Sequence, residues 1–192
     1  MTEPTRTTIR QRLYAFLIAG LGGLAASAIS FSMTLYEAAH PPKVPVVQAG
    51  QQIDAGRWFV TLRTARVGTV PPTGVPPSRP VQLVMVDMEV VNRSATPNNV
   101  LHRVVTLAPA QKLPMPTGYL DRDKYLAGYF NPNMPERLTM AWEWPAGVPV
   151  PDKVTITVTG QIYKLRDNVY GASGWFERDP VATVDLPVEK AP

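Results

Sequence analysis

The chain has 192 residues, with 19 Lys and Arg against 15 Asp and Glu, a formal net charge of +4. It contains no cysteine, which excludes disulfides, thiolate catalysis and cysteine metal sites. Three of the positive charges are Arg6, Arg10 and Arg12, so the rest of the chain is only mildly basic. It has no basic stripe of the kind that binds nucleic acid, and we expect no nucleic-acid partner.

The first element in chain order is an uncharged run from Leu13 to Tyr36. At ~1.5 Å of rise per residue, a helix over this run is long enough for a hydrocarbon core of ~30 Å. Basic residues precede the run and Glu37 follows it, so the positive-inside rule keeps the N terminus in the cytoplasm. We expect a cytoplasmic leader at 1–12, a transmembrane helix serving as signal anchor at 13–36, and an extracytoplasmic remainder held at the cell membrane.

A cleaved signal peptide is the alternative for this segment. Ala26-Ser27-Ala28 offers a small-x-small cleavage site behind a basic and an apolar region. The apolar character continues beyond Ala28, however, and a signal h-region usually has only ~7–15 residues. These lengths favour the uncleaved anchor, and cleavage after Ala28 stays open.

Small residues crowd the middle of the same run. Gly22 with Ala26, and Gly23 with Ser27, stand four apart, a spacing that lets a second helix approach closely. These four residues are the candidate helix-packing surface within the lipid bilayer, and the expected partner is a membrane protein or a second copy of this chain. Because glycine and alanine are common in membrane helices, the spacing can equally mark nothing.

A proline-rich linker at 37–45 leads into a region at 46–190 with the pattern of an all-β domain. Period-two alternation of Val, Ile, Thr and aromatic residues is the signature of strands, and prolines suit the turns between them. Seven or eight such strands predict an antiparallel, immunoglobulin-like β-sandwich, preceded by the one transmembrane helix. The expected strands are 57–67, 81–92, 100–107, 137–144, 154–165 and 181–188, with weaker ones at 44–53 and 125–130.

Alternation also predicts the side chains that face the core. In the first long strand, Trp58, Val60 and Leu62 share one face. The later strands continue in the same way and add further apolar residues at every second position. These residues are Val84, Val86, Met88, Val90, Leu138, Met140, Trp142, Trp144, Ala182, Val184, Leu186 and Val188.

The order of these features resembles a family of bacterial membrane-anchored, extracytoplasmic domains with a telokin-like, immunoglobulin-like β-sandwich. The resemblance is carried by GRWFVTLRTARVG, by the V-x-N-x-S turn at 91–94 and by the proline-led strand at 135–145. It covers about residues 56–165. The resemblance implies a fold and an envelope location, and it implies no reaction.

Two loops stand out between the strands. Residues 69–80, TVPPTGVPPSRP, cannot pair inside a sheet, and they form a stiff connection or, less favoured, a polyproline-type docking loop. The second loop, at 108–133, is long for a compact domain, and such loops often carry function. We expect it to contact a partner or ligand through its aromatic and acidic residues. These are Tyr119, Asp121, Asp123, Tyr125 and Tyr129.

No residue set predicts a metal or cofactor. The two histidines, His40 and His102, are far apart and cannot supply a zinc tetrad without cysteine. The segment at 121–123 begins like a calcium loop, but Leu126 stands where that loop needs glycine. The methionines, which could bind copper, are better explained as core filler.

No residue set predicts a reaction either. Asp87 and Glu89 share one strand face, as paired catalytic carboxylates can, but solvated pairs with arginines such as Arg63 or Arg103 explain them better. The chain has no Gly-x-Ser-x-Gly nucleophile elbow and no phosphate-binding glycine loop. We therefore expect a protein that is not an enzyme.

The sequence as a whole favours a non-enzymatic, single-pass accessory protein of the cell envelope. Its helix would dock on a membrane complex, such as a transporter, and its β-sandwich would face a partner outside. The alternative is a secreted or anchored envelope module that binds a ligand or a metal.

Overall fold

A computed structural model of the chain divides into two compact units, residues 1–43 and 44–192. Most of the predicted leader, part of the linker (41–42) and part of the second loop (109–112) lie outside the residues that the structure describes. The described residues are 9–40, 43–108, 113–169 and 171–190.

The first unit contains helix α1 (Ile9–Ala39), which includes the whole predicted run at 13–36 and continues through residues 37–39. Over the part of the chain that the structure describes, no helix combines the length and the apolar character needed to cross a membrane. A helix is therefore present where it was predicted, but the structure does not support the prediction that this helix spans the membrane.

The second unit is mostly β, as the alternation predicts. Its described residues form eight strands and one short helix. In chain order these are β1 (Gln52–Asp54), β2 (Trp58–Gly68), β3 (Gln82–Asn92), α2 (Leu101–Val104), β4 (Val105–Leu107), β5 (Thr117–Leu120), β6 (Pro135–Trp144), β7 (Lys153–Lys164) and β8 (Gly174–Lys190).

The strands form one curled, mixed sheet in the order β4-β7-β8-β2-β3-β6-β5, and β1 pairs with β2. Six of the seven pairings between these strands are antiparallel, but β8 joins β2 in parallel, with Ala65 opposite Val188. The predicted all-antiparallel arrangement is therefore wrong at this pairing. The β8–β2 pairing joins strands β4, β7 and β8 to the rest of the sheet. One hydrophobic core fills the space that the curled sheet encloses.

The core is the one predicted wherever the strands are long. In β2, Trp58, Val60 and Leu62 are fully buried, and the ring of Trp58 meets Phe130 edge-on at 5.6 Å between centroids. The predicted residues of β3, β6 and β8 are buried as well, except Val188, which is half-buried. Strict alternation over eight or more residues thus predicts both the strands and the sides that they bury.

The strand predicted at 100–107 is wrong in its first half, which forms α2. Leu101 and Val104 stand three apart and are both buried, a spacing that suits one helical turn against the core. The side chain of Asn98 accepts the backbone N–H of Val100 at 2.9 Å just before the turn. Only residues 105–107 continue as a strand, pairing with β7.

The two weaker strands are shorter than predicted. From 44–53 only β1 and a single bridge between Val46 and Thr183 are formed. No strand is formed among the described residues at 125–130; Leu126 and Phe130 make single bridges there instead. The loop predicted at 108–133 contains β5, which the alternation did not indicate.

Candidate functional site

A bulge in β2 places an extra basic side chain on the outer face of the sheet. The register with β3 shifts between Leu62 and Thr64, which leaves Arg63 as the inserted residue. The insertion reverses the phase of the strand, so that Ala65 is buried and Arg66 turns outward. Three basic or hydroxyl side chains of β2 therefore lie on the same outer face.

These side chains line a pocket of about 390 Å³, which we call the charged cleft. It lies over β2, β3 and β6, beside the turn that follows β5. Four cationic groups meet two carboxylates of the cleft and the adjoining Glu89, which leaves an excess of one positive charge (four minus three). Its charged lining consists of Arg63, Arg66, Asp87, Asp121, Lys124 and Arg137.

Asp87 lies at the centre of the charged cleft and accepts hydrogen bonds from two neighbouring strands. The hydroxyl of Thr139 donates to Oδ1 at 2.6 Å, and the hydroxyl of Thr64 donates to Oδ2 at 3.1 Å. Arg66 forms an ion pair with the same Oδ2. The register puts Thr64 and Thr139 directly opposite Asp87 on its two sides, so the strand pairing itself supplies the partners.

Glu89 binds two arginines. Its Oε2 accepts hydrogen bonds from Nη2 of Arg63 at 3.0 Å and from Nε of Arg137 at 3.2 Å. The hydrogen bond from Arg137 and then that from Arg63 hold the pKa of Glu89 below its ordinary value. The predicted pairing of this face with Arg63 is confirmed, whereas the other candidate, Arg103, lies in α2.

The turn after β5 brings Asp121 into the charged cleft. The backbone N–H of Asp121 donates to the carbonyl of Arg137 at 2.8 Å, and the N–H of Lys124 donates to the carbonyl of Leu120 at 2.9 Å. Lys124 has a positive φ of 61° and forms an ion pair with Asp121. The hydrogen bond from Lys124 lowers the pKa of Asp121.

The chemistry of the charged cleft is that of paired, ionised groups. A general acid needs a raised pKa, and the shifts at Glu89 and Asp121 go the other way. Each arginine donates only part of its fork to a carboxylate, so an anionic or polar group of a partner can exchange into these pairs. The arrangement suits recognition of a partner surface better than acid–base catalysis.

The structure separates the five residues that the sequence assigned to one partner loop. Only Asp121 reaches the charged cleft, while Tyr119 packs half-buried against the Leu83–Met85–Ala141 cluster on the outer face. Asp123 pairs with Arg122 and accepts the N–H of Tyr125. Tyr125 and Tyr129 are 74% and 69% exposed. Their role as partner contacts stays a prediction.

A second, mainly apolar pocket of about 340 Å³ lies between α2 and the loop around β5. His102, Met115, Leu126 and Phe130 are among its lining residues. His102, which the sequence placed in mid-strand, is half-buried in α2. No group of three or more metal-ligating side chains occurs among the described residues.

The four small residues predicted to pack helices lie in α1 with open space around them. A Cβ built on Gly22 or Gly23 would meet no atom within 4 Å, and Ala26 and Ser27 are exposed. The large apolar side chains of α1 that the structure describes are exposed too, Phe16 at 80%. Nothing in the described part of the first unit covers this surface, and its packing on a partner stays a prediction.

The V-x-N-x-S turn has a structural role. Asn92 is fully buried at the end of β3, and its amide donates to the carbonyls of Thr96 and Phe130, both at 2.9 Å. Its Oδ1 accepts the backbone N–H of Ser94 at 2.9 Å. The backbone carbonyl of Asn92 accepts the N–H of Asn133 at 2.7 Å. This one residue ties the turn and the loop before β6 to the sheet.

Comparison with known proteins adds little. No family model and no curated protein matches the chain. Among solved structures, the chain is similar to an uncharacterized beta-sandwich protein from Clostridium difficile 630, at 10% sequence identity and a TM-score of 0.47. The match covers 76% of this chain and 97% of that one. So distant a likeness carries no argument about function, and the telokin-like resemblance stays a prediction.

Sequence reasoning missed most of the charged cleft. It identified Asp87 and Asp121 separately, and it did not connect Arg66, Lys124 or Arg137 with them. The one available signal is the pair of hydrophilic residues Arg63-Thr64 inside an alternating strand, a break in period that is typical of a bulge. The position of Arg137 opposite Glu89 depends on the β3–β6 register, which local patterns do not contain.

Proposed function

We propose that this chain is a non-enzymatic accessory protein of the bacterial cell envelope. In this proposal α1 holds the chain at the membrane. The second unit, residues 44–192, which we call the β unit, is presented on the outside to a partner protein. The observation that carries it is the exposure of the large apolar side chains of α1, from Phe16 through Leu24 to Leu35. Large apolar side chains that are exposed along a helix are satisfied by lipid or by another apolar helix.

The partner within the membrane is a membrane protein, such as a transporter, or a second copy of this chain. The small residues Gly22, Gly23, Ala26 and Ser27 support a close helix contact because no side chain keeps a second backbone away. Outside the membrane, the charged cleft and the exposed Tyr125 and Tyr129 offer a polar contact surface. Paired charges on such a surface favour specificity more than affinity.

Two properties of the β unit support a role without catalysis. The described carboxylates with shifted pKa values, among them Glu89 and Asp121, are shifted downward by cationic partners. The apolar residues of the long strands are used in the core, which leaves the outer face to ion pairs. This combination suits a stable scaffold that displays a recognition surface.

Detergent extraction and pull-down of the full chain from the membrane fraction test the proposal. We expect a membrane protein, or a second tagged copy, to co-purify, and the double variant G22L/G23L to lose it. The matched control is G20L, which adds the same side chain outside the small-xxx-small pairs. A chain that is recovered in the soluble fraction as a free monomer would contradict the proposal.

The second candidate is an envelope module that binds a small ligand. It is favoured by the apolar pocket of about 340 Å³ beside α2, a size within the usual range of ~300–1,000 Å³ for ligand sites. Native mass spectrometry of the purified full chain, released from detergent, would show a bound molecule. We expect the variant L126D, which puts a charge at this pocket, to abolish that binding.

A further inference from the structure

The far end of the β7–β8 hairpin exposes apolar side chains. Leu165 and Val169 are 85% and 83% exposed, the highest values among the large apolar residues that the structure describes. Ile162 and Tyr163 on the adjoining strand are exposed as well. We call residues 162–169 and 171–176 the hairpin tip. Clustered apolar side chains in water are costly and usually mark an interaction site.

The exposure is built into the fold of the hairpin tip. Asp167 is buried inside the turn, where its Oδ1 accepts the N–H of Val169 at 2.9 Å and its Oδ2 accepts Nζ of Lys164 at 3.1 Å. Its own N–H donates to the carbonyl of Ala172 at 2.9 Å. Because Asp167 points into the turn, the residues on either side of it lie on the outside, and Leu165 and Val169 are exposed among them.

Aromatic rings and cations cover both faces of the hairpin tip. Tyr163 lies opposite Trp175 in the register, and their rings meet at 5.5 Å, with the guanidinium of Arg57 5.7 Å above Trp175. On the other face, Nζ of Lys164 lies 4.7 Å from the ring of Phe176. Because side chains alternate along the two strands, both faces of the hairpin tip carry apolar groups. Packing of one face against the rest of the domain would therefore still leave the other face uncovered.

We propose that the hairpin tip inserts into the headgroup layer of an anionic lipid bilayer. Tyrosine and tryptophan favour this layer, and the basic side chains of Lys164, Arg166 and Arg57 complement anionic headgroups. The tip is too small for a stable protein interface, which needs ~20–30 residues from each partner. The proposal rests on the proposed function, because α1 is what brings the β unit to the membrane.

The test uses the full chain with vesicles of phosphatidylglycerol and phosphatidylcholine that carry brominated acyl chains. Bromine quenches tryptophan fluorescence at short range, and Trp175 is the half-exposed tryptophan, whereas Trp58, Trp142 and Trp144 are buried in the β unit. We expect quenching of the intact chain, and none in the variant W175F.

The double variant L165S/V169S should lower the quenching about fivefold or more, because the two apolar side chains no longer contribute to insertion. The matched control V75S/V148S changes two exposed valines outside the tip and should quench like the unchanged chain.

Flotation of the vesicles separates the two proposals. If the chain floats with the vesicles but Trp175 is not quenched, or if L165S/V169S quenches normally, the tip proposal is overturned and the role of α1 stands. If the chain does not float at all, both proposals fail. If L165S/V169S instead dissolves an oligomer seen by sedimentation, the tip is a contact between copies, and lipid insertion is overturned.

Discussion

The charged cleft and the hairpin tip are both exposed parts of the β unit, but they place their carboxylates in opposite directions. In the cleft, the strands turn carboxylates and cations outward, and each described carboxylate has a cationic partner. In the tip, the one acid of the turn, Asp167, is buried, and Leu165 and Val169 face outward. Water can solvate the charged cleft, whereas the exposed apolar side chains of the hairpin tip are more stable in an apolar medium.

This difference separates two kinds of exposed surface on one scaffold. Exposed ion pairs contribute little to stability, so the charged cleft can exchange partners at small cost to the fold. The hairpin tip keeps its shape through inward hydrogen bonds and leaves its apolar side chains available. The stability of variants should therefore depend on whether a polar group is buried, and not on whether it is charged.

We expect the largest loss in the free energy of unfolding at a buried polar group outside both regions. The variant N92A removes the amide that serves the carbonyls of Thr96 and Phe130, and it should lower the free energy of unfolding by about 2–4 kcal/mol. Asn98 provides the matched control, because its side chain accepts a single backbone N–H, and N98A should cost about 1 kcal/mol. Urea unfolding measures both, and equal losses would refute the role of burial.

Within the hairpin tip, we expect a smaller but clear loss. The variant D167A leaves the N–H of Val169 without its acceptor inside the turn and should cost about 1–2 kcal/mol. D167N keeps an acceptor oxygen and should recover about half of that loss. Hydrogen exchange at Val169 should speed up in D167A, and an unchanged rate would show that the turn does not depend on Asp167.

Within the charged cleft, the central carboxylate should matter less. D87A removes the acceptor of Thr64 and Thr139 on a half-exposed face, and we expect a loss of about 1 kcal/mol in urea unfolding. D87N keeps an acceptor oxygen for one of the two hydroxyls and should lose less. A loss in D87A larger than that in D167A would reverse the comparison between the two regions.

The smallest expected effect is the dependence of stability on pH. The pKa of Glu89 is lowered in the folded chain, so its contribution is present above the unfolded pKa of about 4.3 and is lost as pH falls through the lower folded value. The urea concentration at the unfolding midpoint should decrease as the pH drops below about 5. In E89Q this decrease should be smaller. An E89Q variant that keeps the slope of the unchanged chain would contradict this prediction.

Much of the β unit could be predicted from local patterns, and the exceptions have physical causes. The cores of β2, β3, β6 and β8 follow strict alternation and were correct. The helix α2 was missed because it is a single turn, too short to show a helical period, and the valines in and beside it favour a strand. The parallel pairing of β8 with β2 joins distant parts of the chain, and no local pattern encodes it.

The charged cleft shows why site prediction is harder than strand prediction. Continuing the alternation of Trp58, Val60 and Leu62 would bury Thr64 and Arg66, but the bulge at Arg63 turns both of them outward. One inserted residue therefore decides the composition of the cleft. The cationic partners from β6 and from the turn after β5 follow from pairings that only the folded sheet reveals.

The most direct test of the account is the accessibility of the β unit to protease added outside intact spheroplasts. With α1 holding the chain at the membrane and the β unit outside, protease should degrade residues 44–192 while a cytoplasmic marker protein stays intact. Protection of the β unit until the spheroplasts are lysed would place it inside the cell and contradict the central claim.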